Sequence, residues 1–134
     1  MSQAGDRRAS ILVVDDEESV VSLLEKLLSG EGYSVRTAQT GQDAIALAKE
    51  RRPDIIIMDI MMPDMDGYEA TRSLKQDPQL NSTPVIFLSG KPVAEDGGRA
   101  FAEGALTYIR KPFTNRQILD LLSLALQSLP NGVA

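Results

Sequence analysis

The 134 residues include no histidine and no cysteine, and 19 acidic against 14 basic side chains leave a net charge of −5. That composition excludes histidine-based acid–base catalysis and histidine metal ligation within the chain, as well as thiolate chemistry and a disulfide framework. It also argues against nucleic-acid binding, which calls for a basic face. The chain suits one domain with its own core. It has no apolar run near the ~20 residues of a membrane span and no signal-peptide core, so a cytoplasmic protein without membrane contact is expected.

Residues 1–9 read as a flexible N-terminus, 10–129 as the domain and 130–134 as a C-terminal tail. Within the domain, apolar runs of strand length alternate with helical periodicity, which indicates repeated βα units and a parallel sheet. The first run, β1 at Ser10–Val14, ends in Asp15-Asp16. Helix α1 is expected from about Ser19 to Ser29, burying Val20, Leu24, Leu27 and Leu28 and stopped by Gly30 and Gly32. Strand β2 is placed at Ser34–Ala38. Helix α2 follows Thr40 as its N-cap, with Asp43 in the first turn, Ala44, Leu47 and Ala48 inward, and Pro53 beyond its end.

Strand β3 is placed at Ile55–Met58, stopping at a lone Asp59. Helix α3 starts after Asp66, with Glu69 three residues on, and is over by Pro78. Strand β4, Val85–Leu88, stops at Ser89-Gly90. Helix α4 is placed at about Ala94–Glu103 and contains Gly97-Gly98, each costing ~1 kcal/mol against alanine in a helix. That pair leaves open a start near Arg99 instead. Strand β5, Thr107–Arg110, leads into Lys111-Pro112. Helix α5 opens on a Thr114/Gln117 capping box and lines one face with Ile118, Leu121, Leu122 and Ala125. Leu119, Leu126 and Leu129 fall off that stripe, as ordinary packing or as part of a partner surface. Five βα units make an α/β fold with a doubly wound, five-stranded parallel sheet in the flavodoxin-like order 2-1-3-4-5.

In such sheets ligands bind at the carboxyl ends of the strands. Here those ends carry Asp15, Asp16, Asp59, Ser89 and Lys111. Asp15 and Asp16 have a plain alternative as acids at a helix N-terminus. Asp59 does not share it, being flanked by isoleucines and by Ile60-Met61-Met62, where a carboxylate is costly without a compensating partner. Mg²⁺ is a natural partner, because it prefers oxygen ligands and is typically held by one or two carboxylates. Lys111 is either a surface lysine or a point charge for a phosphoryl oxygen, and Ser89 either a strand-end turn or a donor to the same group. With both in place, Asp59 could act as a nucleophile and form an aspartyl phosphate.

The spaced set Asp15-Asp16, Asp59 within Met58–Gly67, Ser89 and Lys111-Pro112-Phe113 resembles the receiver domain of bacterial two-component response regulators, over about residues 10–129. The resemblance implies a CheY-like fold with Asp59 as phosphoacceptor, charged in a Mg²⁺-dependent step. The phosphoryl donor would be a sensor histidine kinase or a histidine phosphotransfer protein, since this chain has no histidine of its own. Asp16 would be a direct metal ligand, Asp15 one acting largely through water, and Met61 a ligand through its backbone carbonyl, with its side chain overhanging the phosphoryl group. Ser89 and Tyr108 would be the switch pair, Lys111 the phosphoryl-binding lysine, and Lys111-Pro112 a cis peptide. A downstream protein target would be engaged through the α4–β5–α5 face, and a weak homodimer stays open.

Two positions depart from the family pattern. Gly90 stands where a small residue such as alanine is usual, and Gly97-Gly98 interrupts α4. A rival reading is a Mg²⁺-dependent phosphohydrolase resembling the haloacid dehalogenases, but those place Asp-x-Asp after the first strand rather than the adjacent Asp15-Asp16. A module of this fold that signals without phosphate is a third reading, opposed by the complete acid, hydroxyl and lysine set. No output domain is expected after α5. The chain would act as a signalling domain that catalyses only its own phosphorylation and dephosphorylation, and not as an enzyme on other substrates.

Overall fold

The computed structural model describes residues 9–91 and 93–127, without the side chains of residues 93–97. Five parallel strands, β1 Ser10–Val14, β2 Ser34–Ala38, β3 Ile55–Asp59, β4 Val85–Ser89 and β5 Thr107–Arg110, form one sheet in the order β2-β1-β3-β4-β5. The helices between and after them are α1 Glu18–Gly30, α2 Gly41–Glu50, α3 Gly67–Lys75, α4 Val93–Ala102 and α5 Asn115–Gln127. This is the architecture the βα alternation implies.

The apolar strands are covered on both faces, and alternate residues divide between two cores. Ile11, Val13, Ile55, Ile57, Ile86 and Leu88 pack with Leu24 and Leu28 of α1 and Ile118 and Leu122 of α5. Leu12, Val14, Ile56, Met58, Val85 and Phe87 pack with α2, α3 and α4 through Ala44, Ala48, Tyr68, Leu74 and Ala100. On the second face the Tyr68 ring meets Phe87 edge-on, with centroids 5.2 Å apart, and the Arg99 guanidinium lies 4.2 Å over the same ring. These contacts tie α3, β4 and α4 together.

The helix caps follow the sequence signals. Thr40 Oγ1 accepts the Asp43 N–H at 3.0 Å. Asp66 and Glu69 form a reciprocal capping box on α3, and Thr114 and Gln117 do the same at the start of α5. Arg36 on the edge strand β2 donates to the carbonyls of Leu47, which also accepts the Arg51 N–H, and Arg51, tying the end of α2 to the sheet.

Several boundaries shift. Strands β3 and β4 each run one residue further, so Asp59 and Ser89 belong to the strands and not to the loops after them. Helix α1 buries Val21, Leu24 and Leu28, while Val20 and Leu27 are only partly covered. Adjacent valines offer two helical phases, and packing chooses the one spaced three and then four residues apart. Helix α4 begins one residue earlier than expected and is continuous through Gly97-Gly98, so it does not start near Arg99. Ala9, the last residue of the segment expected to be loose, is buried and its carbonyl accepts the Ser34 N–H at 3.1 Å. The remainder of that segment, the tail and Leu129 lie outside the described residues. Leu126 is buried and Leu119 packs against the core, so both are packing residues.

Candidate functional site

The parallel register delivers the predicted residues to one end of the sheet. Val14 pairs with Met58 and Asp59 with Leu88, while Ser89 pairs with Arg110. Asp15, the next residue after β1, is therefore level with Asp59, while Lys111, the next residue after β5, lies two positions past that level and reaches back with its long side chain. The Asp15 N–H donates to Ala38 O at 3.2 Å and the Lys111 N–H to Ser89 O at 2.6 Å, so sheet-like pairing continues into the site.

The Lys111 ammonium is the hub. It lies 2.8 Å from Asp15 Oδ2, 3.2 Å from Glu17 Oε1 and 3.4 Å from Asp59 Oδ1. Asp15 is fully buried and Asp59 is 3% exposed, whereas Asp16 is exposed. Carboxylate oxygens of Asp15, Asp16 and Asp59 all lie within 4.8 Å of one another. Asp15 Oδ1 accepts the Glu17 N–H at 2.9 Å. Its other oxygen, Oδ2, is buried and faces the Lys111 ammonium at 2.8 Å. A buried carboxylate oxygen in that condition, facing two more acids, fits a divalent cation with oxygen ligands.

The electrostatics agree. Burial raises the Asp59 carboxyl to about 7, the Asp15 charge adds to the rise, and Lys111 only partly offsets it. Burial alone would lower Lys111, but its hydrogen bond to Asp15, the charges of Asp59 and Asp15, and Glu17 outweigh burial and raise it. Lys111 therefore stays cationic throughout the physiological range, among acids that repel one another.

Ser89 is buried at the end of β4, and its Oγ accepts the Lys91 N–H at 3.0 Å. The Tyr108 hydroxyl donates to the Lys91 carbonyl at 2.5 Å, and its ring packs partly against the core. The two expected switch residues are thus joined through one residue of the β4–α4 loop. The Lys111-Pro112 peptide is cis. Met62 is buried in the core, while the Met61 side chain is 58% exposed.

Residues 11–123 match the family described as the response regulator receiver domain. The chain belongs to that family. This receiver is 35% identical to protein PilH of Pseudomonas aeruginosa over 118 residues, covering 88% of this chain and 98% of PilH. Other curated relatives, 34–43% identical, are longer, and the chain spans only 23–50% of their length. Among solved structures it superposes on the chemotaxis protein CheY4 of Vibrio cholerae with a TM-score of 0.85 and 34% identity, over 89% of this chain and 99% of that one. The receiver domain of the sensor histidine kinase PA1611 from Pseudomonas aeruginosa PAO1, 29% identical with a TM-score of 0.83, covers 90% of this chain and 99% of its own. It was solved with a magnesium ion coordinated in its active-site cleft. The chain is therefore a CheY-like receiver of the two-component class. Among the described residues no helix is long and apolar enough to cross a membrane.

Two residues at this end of the sheet carry no functional signal in the sequence. Glu17 reads as a solvated first-turn acid, yet it reaches Lys111 across 94 positions of sequence. Gly67 stands in the expected motif without a stated role. A Cβ there would lie 2.4 Å from the Asp59 carbonyl oxygen and 2.9 Å from Ile60 Cα, and the Gly67 N–H donates to Ile60 O at 2.8 Å. The start of α3 thus presses on the backbone of Asp59, and only glycine permits that approach.

Proposed function

We propose that this receiver accepts a phosphoryl group on Asp59 from the phosphohistidine of a sensor kinase or phosphotransfer protein. An Asp59 carboxylate oxygen attacks phosphorus, the phosphorus–nitrogen bond breaks, and its electron pair returns to the partner's imidazole. The observation that carries this reading is the Lys111 ammonium, poised between Asp59 and Asp15 at the end of the sheet. Phosphoryl transfer asks a protein mainly for positioning and charge neutralisation. Asp15, Asp16 and Asp59, with the Met61 carbonyl, would hold Mg²⁺, which when bound neutralises the acids and the phosphoryl oxygens. Asp15 fixes Lys111 by the shortest of its three contacts, and Ser89 supplies a hydroxyl on the same side of the strand ends. Met61, exposed two residues after the acceptor, screens it from attacking water.

The output follows from the Ser89–Lys91–Tyr108 linkage. A phosphoryl group that draws Ser89 inward pulls on the Lys91 backbone, and through it on the Tyr108 hydroxyl and the start of α4. This biases an existing equilibrium between two arrangements of the α4–β5–α5 face. Phe101 on α4 and Leu124 on α5, 57% and 62% exposed, give that face apolar anchors for a downstream protein. Loss of phosphate is hydrolysis at Asp59.

The test is incubation with acetyl phosphate and Mg²⁺. Wild type should gain one acid-stable, base-labile phosphoryl group, visible as a single mass shift, and Asp59→Asn should gain none. Equal labelling of the Asn variant would overturn the assignment.

A further inference from the structure

We infer that Glu17 is a positioning residue that competes with the phosphoryl group for Lys111 and so restrains phosphorylation. This rests on the phosphoacceptor reading of Asp59. Glu17 occupies the N-cap of α1, yet its side chain makes no capping hydrogen bond. Its backbone is held instead by Asp15, whose Oδ1 accepts the Glu17 N–H. That arrangement leaves the Glu17 carboxylate to cross to Lys111 at 3.2 Å.

A lysine ammonium has three N–H donors and no more. Here three carboxylates surround it, and Asp59 is the most distant of the three, at 3.4 Å. Phosphorylation of Asp59 replaces its long 3.4 Å contact with phosphoryl oxygens that draw the ammonium toward the acceptor, so one of the other two partners has to give way. Asp15 is fully buried, and releasing it would leave its Oδ2 without a partner in the interior. Glu17 is 58% exposed in its side chain and rehydrates on release. It is therefore the partner that leaves, and while it stays it draws Lys111 off the acceptor. Exposed ion pairs are weak, so removing this one should raise the phosphorylation rate only about two- to fivefold.

The experiment compares wild type, Glu17→Gln and Glu17→Asp. Initial rates of phosphorylation are measured over a range of acetyl phosphate concentrations at saturating Mg²⁺, and the Lys111 Nζ resonance is followed by ¹⁵N NMR without any phosphoryl donor. Glu17→Gln removes charge and contact together. Glu17→Asp keeps the charge, but a shorter aspartate at an N-cap accepts the backbone N–H groups of the first turn and turns away from Lys111. Both variants should show the faster first-order rate constant and a shifted Lys111 resonance. An unchanged or slower rate in Glu17→Gln would overturn the inference, as would acceleration in Gln with none in Asp, which would mark a diffuse charge effect. Failure of wild type to take label would refute the phosphoacceptor reading itself. The Lys111 resonance would still report whether Glu17 holds the ammonium: no shift in either variant refutes the contact.

Discussion

Asp59→Asn should make the metal-free protein more stable at pH 8 and have a much smaller effect at pH 5. In the folded chain burial and the neighbouring Asp15 charge lift the Asp59 carboxyl from 3.8 to about 7. Between those two values the folded site keeps a proton that the unfolded chain has already released. Stability therefore falls as pH rises through this window, and levels off once the folded carboxyl has also ionised. A rise of about three pKa units corresponds to ~4 kcal/mol at most, and relaxation of the site brings the expectation to roughly 2–4 kcal/mol. The amide of asparagine keeps the shape without the charge, so the variant should escape the decline. Because the chain has no histidine, few other groups titrate between pH 5 and 8, and the window is unusually clean. Urea denaturation in EDTA at pH 5, 6.5 and 8 reads the effect directly. Millimolar Mg²⁺ should abolish or reverse the advantage of the variant. Wild-type stability that is flat across the window, or an Asn variant no more stable than wild type at pH 8, would refute the argument.

Mg²⁺ alone should raise the melting temperature of the unmodified protein at millimolar concentration, and Asp16→Asn should weaken that response, as read by thermal unfolding. Gly67→Ala should destabilise by about 1–3 kcal/mol and, if Asp59 takes the phosphoryl group as proposed, slow its labelling, because the new Cβ meets the Asp59 backbone. Gly90→Ala, with nothing within 4 Å of the added carbon, should stay within ~0.5 kcal/mol of wild type in the same urea assay. Tyr108→Ala should retain labelling by acetyl phosphate yet lose the amide shifts that beryllofluoride induces over α4, β5 and α5; loss of labelling would place Tyr108 in the phosphorylation site. Amides of α4 should exchange with deuterium faster than those of α1 and α5, since Gly97-Gly98 adds roughly 2 kcal/mol of helix penalty against alanines; equal protection would show that packing of Ala100 and Arg99 outweighs the glycines.

The order of elements was legible because each strand is an unbroken apolar run and each helix carries a cap or a stop. The boundary shifts lie where the last residue of a strand is polar and buried. A carboxylate or hydroxyl normally marks the return to solvent, so Asp59 and Ser89 read as the first residues past their strands, but each is the last residue within its strand. The phase of α1 was ambiguous for a related reason. Val20 and Val21 are equally apolar, and only contact with the sheet separates a buried valine from a half-covered one.

Legibility in the site tracks the free energy each residue costs. Asp59 interrupts a run of isoleucines, and a buried acid there has no structural benefit to offset its desolvation, so its presence alone asks for a charged partner. Lys111 completes the set by position, one residue past the end of β5. Glu17 costs nothing where it stands. An exposed glutamate at a helix start suits the dipole and solvent equally, and its reach to Lys111 depends on how β1 and β5 are brought together across β3 and β4. Gly67 is silent for a complementary reason: what matters is a clash that its missing side chain avoids, and no local pattern records an avoided contact. The residues proposed to perform the chemistry thus announce themselves by disturbing the fold, whereas Glu17 and Gly67 leave no local mark in the sequence, and only the assembled geometry distinguishes them.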